Sequence, residues 1–128
     1  MAEKQVLEID GERFETLEGF YQEVSDVLIP GSDWGRNLDA FNDILRGGFG
    51  TPEGGFRLLW RNHEASRQRL GYPETVRQLK RRLEKCHPES RAHVSERLAS
   101  AERGSGETVF DWLVDIIERH DDIELVLA

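Results

Sequence analysis

The stretch Asp33-Trp34-Gly35-Arg36-Asn37-Leu38-Asp39-Ala40-Phe41-Asn42-Asp43-Ile44-Leu45-Arg46-Gly47 contains a turn, a helix and a pair of like-charged side chains. Asn37 is a residue type that caps helix N-termini, because its side-chain oxygen accepts a hydrogen bond from an unpaired N–H of the first turn. Behind it Leu38, Phe41, Ile44 and Leu45 recur at helical spacing and define a buried face, and Gly47-Gly48 ends the run. Asp39 and Asp43 are four residues apart and share another face, with Asn42 and Arg46 beside them. Like charges at this spacing cost about 0.2–0.5 kcal/mol in an isolated helix. Asp39 recovers part of that near the positive helix N-terminus, and Asp43 does not. Two meanings remain open: a solvated polar face with Asp43 relieved by Arg46, or a site awaiting cations. Spacing alone favours the first.

Working outward, three short runs rich in β-formers read as strands: Val6-Leu7-Glu8-Ile9, Phe56-Arg57-Leu58-Leu59-Trp60 and Ile123-Glu124-Leu125-Val126-Leu127. The second and third look like buried strands of a mostly parallel sheet. Between the first two, Thr16 caps a helix with Leu17, Phe20, Val24, Val27 and Leu28 in register, ending near Pro30. A short helix follows the second strand from Asn62 to Leu70, closed by Gly71. Thr108 opens the last helix, with Asp111 placed for a capping box and a broad apolar set of Val109, Phe110, Trp112, Leu113, Ile116 and Ile117. Strands joined by helices run parallel, so the order implies one small α/β layered domain over residues 1–128.

Residues 72–103 stand apart. Val76, Leu79, Leu83 and Cys86 make one amphipathic stripe, and Val94, Leu98 and Ala101 a second; His87-Pro88 separates them, and Gly104-Ser105-Gly106 reads as a hinge. The segment holds 8 Lys+Arg against 5 Asp+Glu, so −11 falls on the remaining residues to give the net −8. A basic helical hairpin therefore sits on a strongly acidic body. Arg77, Lys80, Arg81, Arg82 and Lys85 lack interleaved aromatics and read as a solvated face with Glu74 and Glu84 as neighbours.

The overall charge disfavours direct contact with nucleic acid or anionic membrane and favours a basic partner, although acidity serves solubility equally well. Cys86 is the single cysteine, which excludes an internal disulfide and a multi-thiolate zinc site. The start, Met1 to Asp10, has no apolar run of signal-peptide type, and a cytoplasmic location is expected. His63, His87, His93 and His120 lack metal-ligand spacing, and the glycines around Thr51-Pro52-Glu53 lack a phosphate-loop lysine. No cofactor is implied. Asp111, Asp115 and Glu118 form a second acidic stripe, of interest only where the two acidic helices lie side by side.

The segment Asp33 to Asp43 resembles the signature of the barstar family of ribonuclease inhibitors, aromatic-Gly-x-Asn-Leu-Asp-Ala-Leu-x-Asp. Phe56 to Leu70 and Val109 to Ala128 are similar to the family's second strand with its helix and to its final helix and strand. The resemblance implies a three-stranded parallel sheet packed by helices, with a helical insertion at about 72–106. It also implies an inhibitor that is not an enzyme, placing a loop and helix in the active site of a basic, barnase-type ribonuclease or related nuclease. Asp43 would be the principal phosphate mimic, Asp39 its support, and Asp115 a further acidic contact. Asp33, Trp34, Gly35, Asn37, Asn42, Arg46, Gly48 and Phe49 complete the implied contact set. Asp33, Asn42 and Gly48 stand where the best-known member has aromatic residues, and Phe49 lies beside the last of these. Retained acids keep electrostatic steering, whereas lost aromatics remove apolar anchors, so the mode of binding is more secure than the partner.

The expected role is thus that of a bacterial immunity protein, monomeric when free. Two other classes follow from the same residues. One is an interaction module with a non-nuclease partner, which uses the hairpin or the altered helix face. The other is a hydrolase with Asp39 or Asp115 as general base, which requires a pocket and perturbed acids that the sequence does not imply.

Overall fold

A computed structural model of the protein describes residues 4–31, 34–47 and 50–128. The elements are β1 (Val6–Asp10), α1 (Leu17–Val27), α2 (Leu38–Leu45), β2 (Phe56–Arg61), α3 (His63–Arg69), α4 (Tyr72–Lys85), α5 (Arg91–Glu102), α6 (Val109–Glu118) and β3 (Ile123–Leu127). A short 3-10 turn at Pro88–Ser90 links α4 to α5. The strands form one parallel sheet in the order β1-β2-β3, with Ile9 opposite Trp60 and Trp60 opposite Leu127. This is the α/β fold with a three-stranded parallel sheet that the sequence implies.

Only one face of the sheet is covered, which corrects the reading of β2 and β3 as strands buried on both sides. Burial alternates along β2: Phe56, Leu58 and Trp60 are buried, and Arg57 and Arg61 are exposed. On the open face Arg57 pairs with Glu124 at 3.0 Å and Arg61 with Glu8 at 3.7 Å, across neighbouring strands. A two-layer fold leaves a solvent face even in a parallel sheet, and alternating charges solvate it.

Aromatic packing centres on Trp60. Its ring stacks on Phe20 at 5.4 Å and meets Phe110 edge-on at 5.1 Å, while Phe20 meets Phe41 at 5.2 Å. The Trp60 indole donates to the Ser66 hydroxyl at 2.9 Å, which satisfies the one polar atom that so buried a ring brings with it. Close approach at the start of β2 depends on Gly55. It takes a φ of +96°, and a Cβ there would lie 1.9 Å from the Asp122 carbonyl oxygen.

Thr16, Asn37 and Thr108 cap their helices as their residue types imply, whereas Asn62 before α3 makes no side-chain cap bond. Thr16 accepts from the Gly19 N–H at 3.1 Å, and Thr108 and Asp111 form a reciprocal capping box. Gly71 differs from its expected part: Leu70 caps α3, and Gly71 is already the N-cap of α4, with Pro73 in the first turn. Proline is tolerated there because the first helical turn leaves its N–H groups without intrahelical partners.

The helical pair α4–α5 is docked, and its basic face is only partly solvated. Glu74, 6% exposed, accepts from the Leu17 N–H at 2.8 Å and from the Arg77 guanidinium. Arg77 and Arg81 both reach Glu18 on α1. Burial pushes the Glu74 and Glu18 carboxyls up, but hydrogen bonds from Arg77 and Gln78, and for Glu74 from Leu17, hold both below their usual range. Thr75 ties α4 to the last helix by accepting from the Val109 N–H at 2.9 Å. Leu79, Val94 and Ala101 are buried with the main core.

Candidate partner-binding site

Helix α2 turns Phe41, Ile44 and Leu45 into the core and leaves Asp39 and Asp43 exposed on its outer face. The helix is started by Asn37, whose side-chain oxygen accepts from the Ala40 N–H at 2.8 Å. Its side-chain amide also donates to the Gly35 carbonyl at 3.3 Å. Arg36 bends the chain into the helix with a φ of 50°. Gly35 permits the close turn, since a Cβ would stand 3.0 Å from the Asn37 amide nitrogen. Gly47, with a φ of +100°, follows the C-cap Arg46.

Trp34 has a different place from the one expected of a contact residue. It is 8% exposed, its indole N–H donates to the Ser25 hydroxyl at 2.6 Å, and its ring meets Tyr21 edge-on at 5.4 Å. An indole buries enough apolar area to anchor a loop, so Trp34 clamps the segment onto α1 from behind. Asn42 is half-buried, and its side-chain oxygen is 2.8 Å from His120 Nε2, linking α2 to the turn before β3. Asp43 has Arg46 at 3.7 Å, with both side chains more than half exposed. Such a surface pair is weak and leaves the carboxylate open to a stronger partner. Asp33, Gly48 and Phe49 lie outside the described residues.

The two acidic helices do pack side by side. Asp39 of α2 and Asp115 of α6 line one groove of about 610 Å³, together with Arg82, Arg97, Trp112 and Arg119. Asp115 is exposed and paired with Arg119 one turn further along. Asp111, of the same stripe, is engaged in the capping box, where it accepts from the Thr108 N–H at 2.9 Å. Asp43 lies one turn beyond Asp39 on the same face of α2, outside the groove lining.

Sequence reasoning assigned Arg82 to a solvated face and did not single out Arg97. The Arg82 and Arg97 guanidinium carbons stand 5.6 and 5.0 Å from the centroid of the Trp112 ring. These are cation–π contacts from both α4 and α5 to α6. Burial, and next the charge of Arg82, lower the Arg97 pKa, while Glu107 opposes them. A basic segment beside a tryptophan was a usable signal, but only packing chooses which arginines reach the ring. His120 was likewise noted without its partner.

Two further histidines have hydrogen-bond contacts. His63 Nδ1 is 2.9 Å from the Ala128 carbonyl oxygen, and His87 Nδ1 accepts from the Glu89 N–H at 3.3 Å. Among the described residues no three His, Cys, Asp or Glu side chains gather as a metal-binding group. No helix of the described residues is long and apolar enough to cross a membrane.

The site is a capped helix with an outward acidic pair, braced on a three-stranded parallel sheet. A model of the Barstar family, described as Barstar (barnase inhibitor), matches residues 4–96. The chain belongs to the Barstar family. A search of curated proteins found no match. The family match runs from β1 through α4 into α5 and stops before α6 and β3. Its bounds differ from those of the sequence resemblance, which leaves out about 72–106 and takes in Val109 to Ala128.

Proposed function

We propose that this protein inhibits a basic microbial ribonuclease by seating the outer face of α2 in its active site. The observation that carries the reading is the exposure of Asp39 and Asp43 on a capped helix, with Asp115 of α6 lining the same groove as Asp39, in a chain of the Barstar family. A ribonuclease binds phosphodiesters with arginine and lysine, and carboxylates at comparable spacing accept the same charge-assisted hydrogen bonds. Asp43 is the principal mimic, Asp39 supports it, and Asp115 adds a third acid. Arg46 gives up Asp43 readily, because an exposed pair at 3.7 Å contributes little. Gly35, Asn37 and Trp34 set the helix at its angle, and Asn42 holds its middle through His120. Once the helix is seated, RNA is excluded by volume as well as by charge. The biological role is that of a cytoplasmic immunity protein, guarding its producer against its own nuclease.

The test is an RNA-cleavage assay with a barnase-type ribonuclease, run with the wild-type protein and with Asp39→Ala and Asp43→Ala. Wild type suppresses cleavage, and each substitution weakens the complex by about 2 kcal/mol or more, roughly thirtyfold in Kd. That figure is a general one for interfacial charge pairs, to which the family's own type complex contributes. Unchanged inhibition in both variants would remove α2 from the interface; pull-down of a non-nuclease partner insensitive to both would replace the reading with a different interaction module.

A further inference from the structure

Beside the acidic face lies a feature of opposite sign. A groove of about 270 Å³ runs between α1, the turn into α2 and α4. Arg36 comes from the turn, and Arg81, Arg82 and Lys85 come from α4; Asn37 and Gln78 also line it. Among the described residues four cations face this groove against one carboxylate, Glu18. That carboxylate is already engaged by Arg77, Gln78 and Arg81. Lys85 forms no ion pair among the described residues and is exposed. In a chain of net charge −8 this is a local reversal of the field.

The groove is continuous with the proposed interface. Asn37, Leu38 and Arg82 line both it and the groove that holds Asp39 and Asp115. Whatever sits on Asp39 therefore meets the cations next. We propose that this strip is a second subsite, which takes an acidic segment on the rim of the partner's basic active site. The proposal rests on the inhibitor reading for the identity of the partner, and on the groove itself for the chemistry. Guanidinium groups grip carboxylates with paired hydrogen bonds, and an ammonium adds a point charge. The strip also rejects. A nuclease whose rim is basic throughout is attracted by Asp39 and Asp43 but repelled by Arg36, Arg82 and Lys85, so α4 and the turn at Arg36 narrow the choice of partner.

Two measurements test this. In the first, the isotope-labelled protein is titrated with a tetraglutamate peptide and, separately, with a single-stranded RNA tetranucleotide, and amide shifts are followed by NMR. The peptide is expected to shift Arg36, Asn37, Arg82 and Lys85 saturably, and the Arg36→Gln/Lys85→Gln double variant to bind it at least about fivefold more weakly. Absence of saturable shifts with the peptide overturns the subsite, and tighter binding of the RNA at the same amides overturns its assignment to an acidic protein segment. In the second, the double variant is assayed for inhibition of a barnase-type ribonuclease, after circular dichroism has checked its fold. A loss of about tenfold is expected. Full inhibition by the double variant, with loss in Asp39→Ala, overturns the subsite's part in the complex and leaves the inhibitor reading standing. A wild-type protein that fails to inhibit overturns the inhibitor reading, and the peptide titration still decides the groove.

Discussion

Trp34 and Asp43 belong to the same segment and face opposite ways. The first spends its surface on the core, and its indole N–H on Ser25 at 2.6 Å. The second leaves more than half of its side chain in solvent. Trp34→Phe keeps most of the ring contact with Tyr21 and removes the hydrogen bond. It is expected to cost about 1 kcal/mol of stability by losing that bond and leaving the Ser25 hydroxyl without its donor. Denaturant unfolding measures this directly; a variant as stable as wild type would mean that the bond to Ser25 holds nothing. The motif residues were readable one by one, because a cap, a close turn and an i,i+4 pair are local chemistry. Whether Trp34 pointed in or out was not, since that depended on Tyr21 and Ser25 from another helix.

Among the elements, α4 is attached to α1 through ionised groups. Glu74 is buried and holds the Leu17 N–H, Arg77 and Gln78 at once. Its folded pKa lies below the ordinary 4.5, because hydrogen bonds outweigh the upward push of burial, and Glu18 behaves alike. A carboxyl depressed by folding contributes stability that is complete above the unfolded pKa and is lost as pH falls through the lower folded value. The melting temperature is therefore expected to drop as pH falls below 4.5. Glu74→Gln should cost about 1–3 kcal/mol at neutral pH, through weakened bonds at a buried site, and should flatten the acid slope. Melting curves of both proteins over an acid series check this, and parallel slopes would count against Glu74. The helix itself was evident from its apolar stripe. Its docking on α1 was not, because Glu18 and Glu74 lie far apart in the chain and each reads as an ordinary surface acid.

For the whole molecule, the net charge is negative and one groove locally reverses it. The acids of α2 and α6 stand next to a basic strip from α4 and the turn at Arg36, on a body of net charge −8. Association with a basic ribonuclease is expected to be steered over long range and to slow as salt rises. From about 0.01 M to about 0.15 M salt the screening length falls from about 30 Å to about 8 Å, and the association rate should fall by about tenfold. Stopped-flow mixing across that range measures it; a rate indifferent to salt would exclude steering. Dissociation should change less, because buried contacts are screened less than the approach.

The sequence by itself determined the three strands joined by helices, the caps at Thr16, Asn37 and Thr108, the apolar stripes and the acidic pair at Asp39 and Asp43. All of these follow from spacing along the chain, where periodicity and capping chemistry act over a few residues. Only the tertiary structure decided that Trp34 is a clamp, that Asn42 is held by His120, and that one face of the sheet stays open. It alone brought Asp115 into the same groove as Asp39, and Arg82 and Arg97 over Trp112. The physical reason is the same in each case. These contacts join residues distant in the chain, and their partners are chosen by which helices share the covered face of the sheet, a property that no local pattern records.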